Sequence, residues 1–333
     1  MLYRVSTPHV TVFAPAKLNL FLKVLEKRAD GYHELETLML SVGLYDTLVL
    51  TDPLDLDDTG RDTTVDNSAG TLRTGTLRTG TLGNGTSSGR LHLTCYDGGS
   101  QGGPRRELPG AGLDNLVLRA AQLLRDVSGT TRGARIELVK RIPLAAGLAG
   151  GSSDAAATLW GLNRLWGLGL SVPELQALGA RLGSDIPFFL CSTSAAICRG
   201  RGEVVEPLPL RARFWFVIAR PPSGLSTADV YRHCRPSPIS WSAPQLARHL
   251  AGGNLQAAAS LFHNALQEPA ERLNPDVTRL KTAFARQPFA GHMMSGSGTS
   301  YFGMCRSRRQ AVQLAARLKA TRLGDVFVVS NRP

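Results

Sequence analysis

The chain has 333 residues, a hydrophobic content of 43 % and a formal net charge of +12. This length is sufficient for two domains with cores of their own. No apolar run approaches the roughly 20 residues of a membrane span, and the N-terminus lacks the apolar segment of a signal peptide. We therefore expect a cytoplasmic protein with no membrane partner.

The charge and the cysteines narrow the function classes further. The 38 Lys and Arg residues are scattered, and aromatic residues do not interleave with them, whereas a dedicated nucleic-acid surface usually concentrates its charge. A solvated basic surface is the first interpretation, a phosphorylated substrate the second and nucleic acid the third. The five cysteines form no C-x-x-C pair, which argues against a zinc site or a disulfide framework.

The first informative segment is a predicted strand over residues 10–25. Its residues alternate after Pro15, so Lys17 and Asn19 share one face, about 7 Å apart along the strand. A lysine beside an asparagine can hold an anionic or hydroxyl-bearing ligand. The alternative is a solvated strand face.

A turn signal at Asp30-Gly31 precedes Tyr32 and His33. An aromatic residue and a histidine at a loop exit can stack on a base and hydrogen-bond to it. The residues alone favour a half-buried tyrosine and a surface histidine. A further strand is predicted at 44–50.

Residues 60–103 interrupt this pattern. Eleven of these forty-four residues are Gly, against a usual frequency of about 7 %, and residues 71–85 hold three copies of a five-residue repeat. Three short copies cannot bury a core, so we predict a flexible surface insertion that contains one strand at 90–96. An amphipathic helix follows, with Asp114 as its expected N-cap.

A glycine-rich segment, P-L-A-A-G-L-A-G-G-S-S-D-A-A-A, occupies Pro143–Ala157 between a predicted strand at 134–139 and a helix. Such a loop presents free N–H groups and the positive end of the helix dipole, and both favour phosphate. It lacks the lysine of a P-loop and the acidic residue of a dinucleotide-binding fingerprint. Its own residues leave a phosphate loop and an ordinary capped loop equally open.

The second half of the chain offers a carboxylate and a second small-residue loop. Asp185 follows a helix predicted at 173–182, and it is either the N-cap of the next helix or a catalytic carboxylate. Tyr231 ends a loop that follows a buried strand at 214–219. Helices are predicted across 243–287 and at 307–321, the loop Ser295–Ser300 lies between apolar segments, and a last strand is predicted at 326–329.

Together and in this order, the motifs resemble the GHMP small-molecule kinases. The segments P-A-K-L-N-L-F-L, R-A-D-G-Y-H-E-L-E-T, L-G-S-D-I-P-F-F and M-S-G-S-G-T-S-Y-F resemble in particular the branch that phosphorylates 4-(cytidine 5'-diphospho)-2-C-methyl-D-erythritol for isoprenoid biosynthesis. The resemblance implies an α+β, two-domain fold, divided into 1–196 and 197–333, with the active site in the interdomain cleft. It also implies ATP and Mg²⁺, no nucleic-acid partner, and a monomer or weak homodimer.

The resemblance assigns roles to individual residues. Asp185 takes the place of the catalytic base and Lys17 that of the catalytic lysine, which orients the hydroxyl and offsets negative charge. Asn19 matches a substrate contact, Tyr32 and Tyr231 the two aromatic residues that sandwich cytosine, and His33 a hydrogen bond to the base. The ATP phosphate loop corresponds to Pro143, Leu144, Ala145, Ala146, Gly147, Leu148, Ala149, Gly150, Gly151, Ser152 and Ser153.

The sequence departs from the family pattern at several positions. Ala145, Ala146 and Ala149 stand where relatives have more glycine, which predicts a stiffer loop, and Asp154 replaces a residue that is often Asn. The insertion has no counterpart in the family, and no metal ligands are predicted. Two alternatives remain: a GHMP kinase for homoserine or a mevalonate derivative, and a nucleic-acid-binding protein whose affinity for DNA falls steeply with salt.

Overall fold

The computed structural model describes residues 2–6, 9–52, 80–82, 89–98, 106–107, 114–191 and 193–331. The chain divides into two compact units. Unit 1 contains residues 1–14, 45–141 and 154–182, and unit 2 contains residues 15–44, 142–153 and 183–333. Within the described ranges, no helix combines the length and the apolar character needed to cross a bilayer.

Strands and helices both contribute to the described chain. The strands are β1 (Leu2–Ser6), β2 (His9–Lys27), β3 (His33–Thr51), β4 (Gly80–Leu82), β5 (Leu91–Asp97), β6 (Arg106–Glu107), β7 (Ala134–Lys140), β8 (Ala195–Gly200), β9 (Val204–Leu208), β10 (Trp215–Arg220), β11 (His263–Asn264), β12 (Gly291–Met294), β13 (Tyr301–Cys305) and β14 (Asp325–Ser330).

The helices are α1 (Leu116–Ser128), α2 (Gly150–Leu165), α3 (Val172–Leu182), α4 (Ile186–Leu190), α5 (Thr227–Arg232), α6 (Ala243–Ala251), α7 (Leu255–Ala259), α8 (Gln267–Leu273), α9 (Pro275–Ala285) and α10 (Arg308–Ala320).

Unit 1 is built on a sheet in which β7 pairs antiparallel with the end of β3 and parallel with β5. Its core is apolar because alternate residues of these strands and one face of each helix are buried together. Gly161 allows α2 to lie close to the strands. A Cβ at this position would lie 2.3 Å from Leu50 Cδ1 and 3.2 Å from Val12 Cγ2, so a larger residue would push the helix away.

Unit 2 contains an antiparallel sheet in the order β12-β13-β10-β14. The central strand β10 is buried on both faces, as its continuous apolar sequence predicts. The first half of β3 pairs antiparallel with β8, which pairs with β9, and the second half of β2 pairs with β11. These pairings bring residues that are distant in sequence together within unit 2.

One prediction about local structure needs correction, and another is confirmed. The N-cap of α1 is Asn115 rather than Asp114, because the Asn115 side chain accepts a hydrogen bond of 2.9 Å from the amide of Val117. The strand predicted at 90–96 is confirmed, and the bounds of the insertion around it stay a prediction. Residues 91–97 form the buried core strand β5, whose register with β7 runs from Leu91 to Asp97. Most of residues 60–88 lies outside the described chain, so their predicted flexibility stays a prediction.

Candidate active site

Lys17 and Asn19 share one face of β2, as their spacing predicts, but that face is buried. Lys17 is 4 % exposed and Asn19 is 1 % exposed. Lys17 Nζ donates to Asn19 Oδ1, and Asn19 Nδ2 donates to the hydroxyl of Thr37 at 2.8 Å. A buried ammonium is costly unless polar groups surround it, so this is a built polar site rather than a solvated strand face.

Asp185 occupies the N-cap position of α4, yet its side chain makes no capping hydrogen bond. Its Oδ2 lies 3.7 Å from Lys17 Nζ, and 28 % of the side chain is exposed. The carboxylate is therefore directed at the buried lysine and is open to solvent on one side. This geometry favours the functional interpretation of Asp185 over the purely structural one.

The glycine-rich loop contacts both the lysine strand and the loop Ser295–Ser300. The amide of Lys17 donates to the carbonyl of Leu148 at 3.1 Å, and the amide of Ser300 donates to the carbonyl of Ala146 at 3.1 Å. The Ser295 hydroxyl donates to the carbonyl of Gly147 at 3.1 Å. Three motifs that are far apart in the sequence therefore meet in unit 2.

Gly147 is required by this packing. Its φ of +72° lies in the left-handed region, and a Cβ would lie 2.1 Å from the carbonyl oxygen of Ser295. Ala145 and Ala149 also adopt positive φ values, 50° and 55°. A non-glycine residue in this region is strained by roughly 1–2 kcal/mol, so the two alanines make the loop less relaxed. The greater stiffness expected of the loop stays a prediction.

Asn264 was not predicted from the sequence, although it organises the second loop. Its buried Nδ2 donates to the carbonyls of Met294 at 2.9 Å and Gly296 at 2.8 Å. A Cβ on Gly296 would lie 3.1 Å from Lys17 Nζ, so this loop reaches the lysine. The short G-S-G pattern of the loop was a usable signal. Asn264 had none, because it lies in a segment without a motif.

The three residues predicted to bind a base are only partly brought together. The rings of His33 and Tyr231 are stacked, with centroids 5.3 Å apart. Tyr32 is 53 % exposed, and its ring instead faces the guanidinium of Arg201 at 4.7 Å. Burial, followed by the charge of Asp185, raises the pKa of Tyr231, and burial lowers the pKa of His33.

The loop also carries a polar atom without a partner. The Ser153 hydroxyl is buried, and no hydrogen-bond partner is found for it among the described residues. A buried unsatisfied hydroxyl in a native fold calls for a specific reason such as a missing ligand or ion. Over the same ranges, no group of three or more His, Cys, Asp or Glu side chains could hold a metal ion.

The fold and this arrangement can be compared with known proteins. Residues 115–193 match the family model of the GHMP kinases N terminal domain, and residues 243–322 match that of the GHMP kinases C terminal. A crystal structure of homoserine kinase from Cytophaga hutchinsonii shares the fold, with a TM-score of 0.64 and 20 % identity over 98 % of this chain and 96 % of that chain. The protein is thus a GHMP kinase with the predicted α+β fold. The two models lie on either side of residue 196, where the domain boundary stays a prediction.

Relatives with higher identity narrow the class. The 4-diphosphocytidyl-2-C-methyl-D-erythritol kinase of Shouchella clausii is 38 % identical over 88 % of this chain and 85 % of its own length. That of Pelotomaculum thermopropionicum is 36 % identical over 94 % of both chains. A crystal structure of 4-(cytidine 5'-diphospho)-2C-methyl-D-erythritol kinase superposes with a TM-score of 0.70, at 32 % identity over 96 % of this chain and 98 % of that one. The chain belongs to the 4-diphosphocytidyl-2-C-methyl-D-erythritol kinase family.

Proposed function

We propose that the protein transfers the γ-phosphoryl group of ATP to the 2-hydroxyl of 4-(cytidine 5'-diphospho)-2-C-methyl-D-erythritol. The observation that carries the proposal is the Asp185–Lys17 pair, 3.7 Å apart beside the glycine-rich loop. Family membership supports the substrate, since the relatives over most of the chain bear that kinase name. The homoserine kinase likeness supports the shared fold alone.

In this proposal Asp185 accepts the proton of the attacking hydroxyl. Its partly exposed carboxylate can reach a substrate, while Lys17 is buried and held by Asn19. Lys17 orients the hydroxyl and offsets the negative charge that develops during transfer. Phosphoryl transfer depends mainly on such positioning and charge stabilisation, so the residues needed are few.

The loop of residues 143–153 binds the ATP phosphates. It leads into α2, and the first amides of a helix, together with its dipole, favour anions. Mg²⁺ bound to ATP supplies charge neutralisation at the phosphate oxygens. The buried, unsatisfied hydroxyl of Ser153 fits a polar group of this Mg–ATP complex. A magnesium ion of this kind needs few protein ligands, because it keeps waters and phosphate oxygens.

Tyr32, His33 and Tyr231 bind the cytosine. Stacking of His33 on Tyr231 supports a common aromatic site, and a base inserted beside Tyr231 would require the His33 ring to move aside. Asn19 contacts the alcohol end of the substrate. The cytoplasmic location and the monomeric or weakly dimeric state stay predictions.

Two measurements test the proposal. ATP consumption with the cytidyl substrate, homoserine and mevalonate as separate acceptors should show turnover with the first alone. Asp185→Asn should lower kcat by about 10²–10⁴-fold, the usual contribution of a general base, and leave the substrate Kd within a few fold. Turnover of homoserine or mevalonate would replace the substrate assignment, and near-normal kcat in Asp185→Asn would remove the base assignment.

A further inference from the structure

Arg201 lies on a short turn that no sequence motif singled out. The turn follows β8, in which Gly200 pairs with Leu35 of β3. The amide of Gly200 donates to Glu34 Oε1 at 3.1 Å, which ties the start of the turn to the segment after His33. The register therefore places Arg201 beside the residues proposed to bind the base.

The Arg201 side chain is directed over an exposed aromatic ring. Its guanidinium carbon lies 4.7 Å from the centroid of Tyr32, and about a quarter of the side chain is exposed. Its Nε is 3.7 Å from Glu203 Oε1, which is longer than the 2.7–2.9 Å of a charge-assisted hydrogen bond. The guanidinium thus lies over Tyr32, partly open to solvent, and its contact with Glu203 is an ion pair at longer than hydrogen-bond distance.

The same turn approaches the proposed catalytic pair. A Cβ on Gly202 would lie 3.6 Å from Ser184 Cβ, and Ser184 directly precedes Asp185. Arg201 therefore has Tyr32 on one side, and its neighbour Gly202 packs against the segment that carries the carboxylate. The turn that carries Arg201 thus contacts both the Tyr32 ring and the residue before Asp185.

We propose that Arg201 binds the diphosphate of the nucleotide substrate and so selects a nucleoside diphosphate over an uncharged nucleoside. The inference rests on the proposed function, because it takes the base at one end and the acceptor hydroxyl at the other. The diphosphate connects these two ends in the substrate. Guanidinium groups bind phosphate oxygens in a bidentate manner, and Glu203 competes with the diphosphate for this group.

Calorimetric titration of cytidine and CDP into the full-length protein separates the contribution of the diphosphate to binding affinity from that of the nucleoside. Arg201→Gln should lower the affinity for CDP by about tenfold, the value of one hydrogen bond to a charged group. The affinity for cytidine should stay within about twofold of the wild type. Glu203→Gln should raise the affinity for CDP, because the variant lacks the competing charge. Its side-chain oxygen can still accept the hydrogen bond from the Arg201 amide. The opposite signs separate a specific effect from misfolding.

Arg199→Gln is the matched control. Arg199 precedes Arg201 by two residues and pairs with Glu206 and Glu36, so its removal changes the net charge equally but should leave the ratio of CDP to cytidine affinity unchanged. An unchanged ratio in Arg201→Gln, or an equal change in Arg199→Gln, would overturn the proposal. Wild-type protein that binds neither CDP nor cytidine would instead overturn the proposed function and this inference with it. Turnover of the cytidyl substrate by the wild type, together with an unchanged ratio of CDP to cytidine affinity in Arg201→Gln, would overturn the inference alone.

Discussion

Replacement of Lys140 by methionine should be among the most destabilising single changes in unit 1. Lys140 is buried, and its Nζ donates to Asp46 Oδ2 and to Asp154 Oδ2, the latter at 2.6 Å. Asp46 and Asp154 are also buried. One ammonium therefore pairs with two buried carboxylates, and Lys140→Met removes it from both.

The expected loss is about 3–5 kcal/mol of unfolding free energy, the range measured when one partner of a buried ion pair is removed. The loss should depend on pH, because burial raises the pKa of Asp154 to about 8, with attraction to Lys140 opposing this and repulsion from Asp46 adding to it. The folded state thus binds more protons than the unfolded state between about pH 4 and 8. Its stability falls as pH rises through this window.

Asp154→Asn isolates the contribution of the Asp154 charge to the pH dependence of stability. The asparagine oxygen can still accept from Lys140, and the Lys140–Asp46 pair remains. Since the buried negative charge is gone, the variant should gain stability relative to the wild type as pH rises from 5 to 8.5, by a few kcal/mol at most. Asp154 then makes the wild type less stable at alkaline pH than an asparagine at this position would.

Urea unfolding followed by tryptophan fluorescence measures both effects. Trp160 and Trp166 lie in unit 1, and replacement of Trp215 and Trp241 by phenylalanine leaves these two as reporters. Lys281→Met is the control, since the Lys281 side chain is 48 % exposed and an ion pair of a solvent-exposed lysine is worth about 0–1 kcal/mol. A Lys140→Met loss below about 1 kcal/mol at pH 8.5 would refute the argument. So would an Asp154→Asn variant that loses stability relative to the wild type as pH rises.

Two further predictions concern the site. Gly147→Ala should lower affinity for an ATP analogue by more than tenfold in calorimetry, because its Cβ would lie 2.1 Å from the Ser295 carbonyl. Ala149→Gly, which relieves a positive φ, should leave that affinity within about threefold; equal effects of the two variants would contradict the role of the loop contact. Tyr231→Ala should raise KM for the cytidyl substrate by about fivefold or more, as stacking is worth about 1–3 kcal/mol per base, with Tyr231→Phe near wild type. An unchanged KM in Tyr231→Ala would exclude the ring from the site.

The sequence determined the fold class and the order of the motifs. Strand alternation was enough to put Lys17 and Asn19 on one face, and the glycines, followed by a helical pattern, were enough to predict the loop. The continuous apolar run at 214–219 correctly predicted a buried strand, which is β10. These features are local, because backbone periodicity and turn chemistry depend on residues that are neighbours in the chain.

Only the tertiary structure decided what those residues contact. Whether the face with Lys17 is solvated or buried depends on packing from residues that are distant in sequence, and so does the choice between Asp185 as a cap and as a partner of Lys17. Gly147 is required by the close approach of the Ser295 carbonyl, which the glycine pattern of the loop does not reveal. Asn264 and Arg201 carried no local signal, because their positions come from contacts that are distant in sequence. Asn264 pairs with Leu22 and bonds to the loop at Gly296, and Arg201 packs over Tyr32.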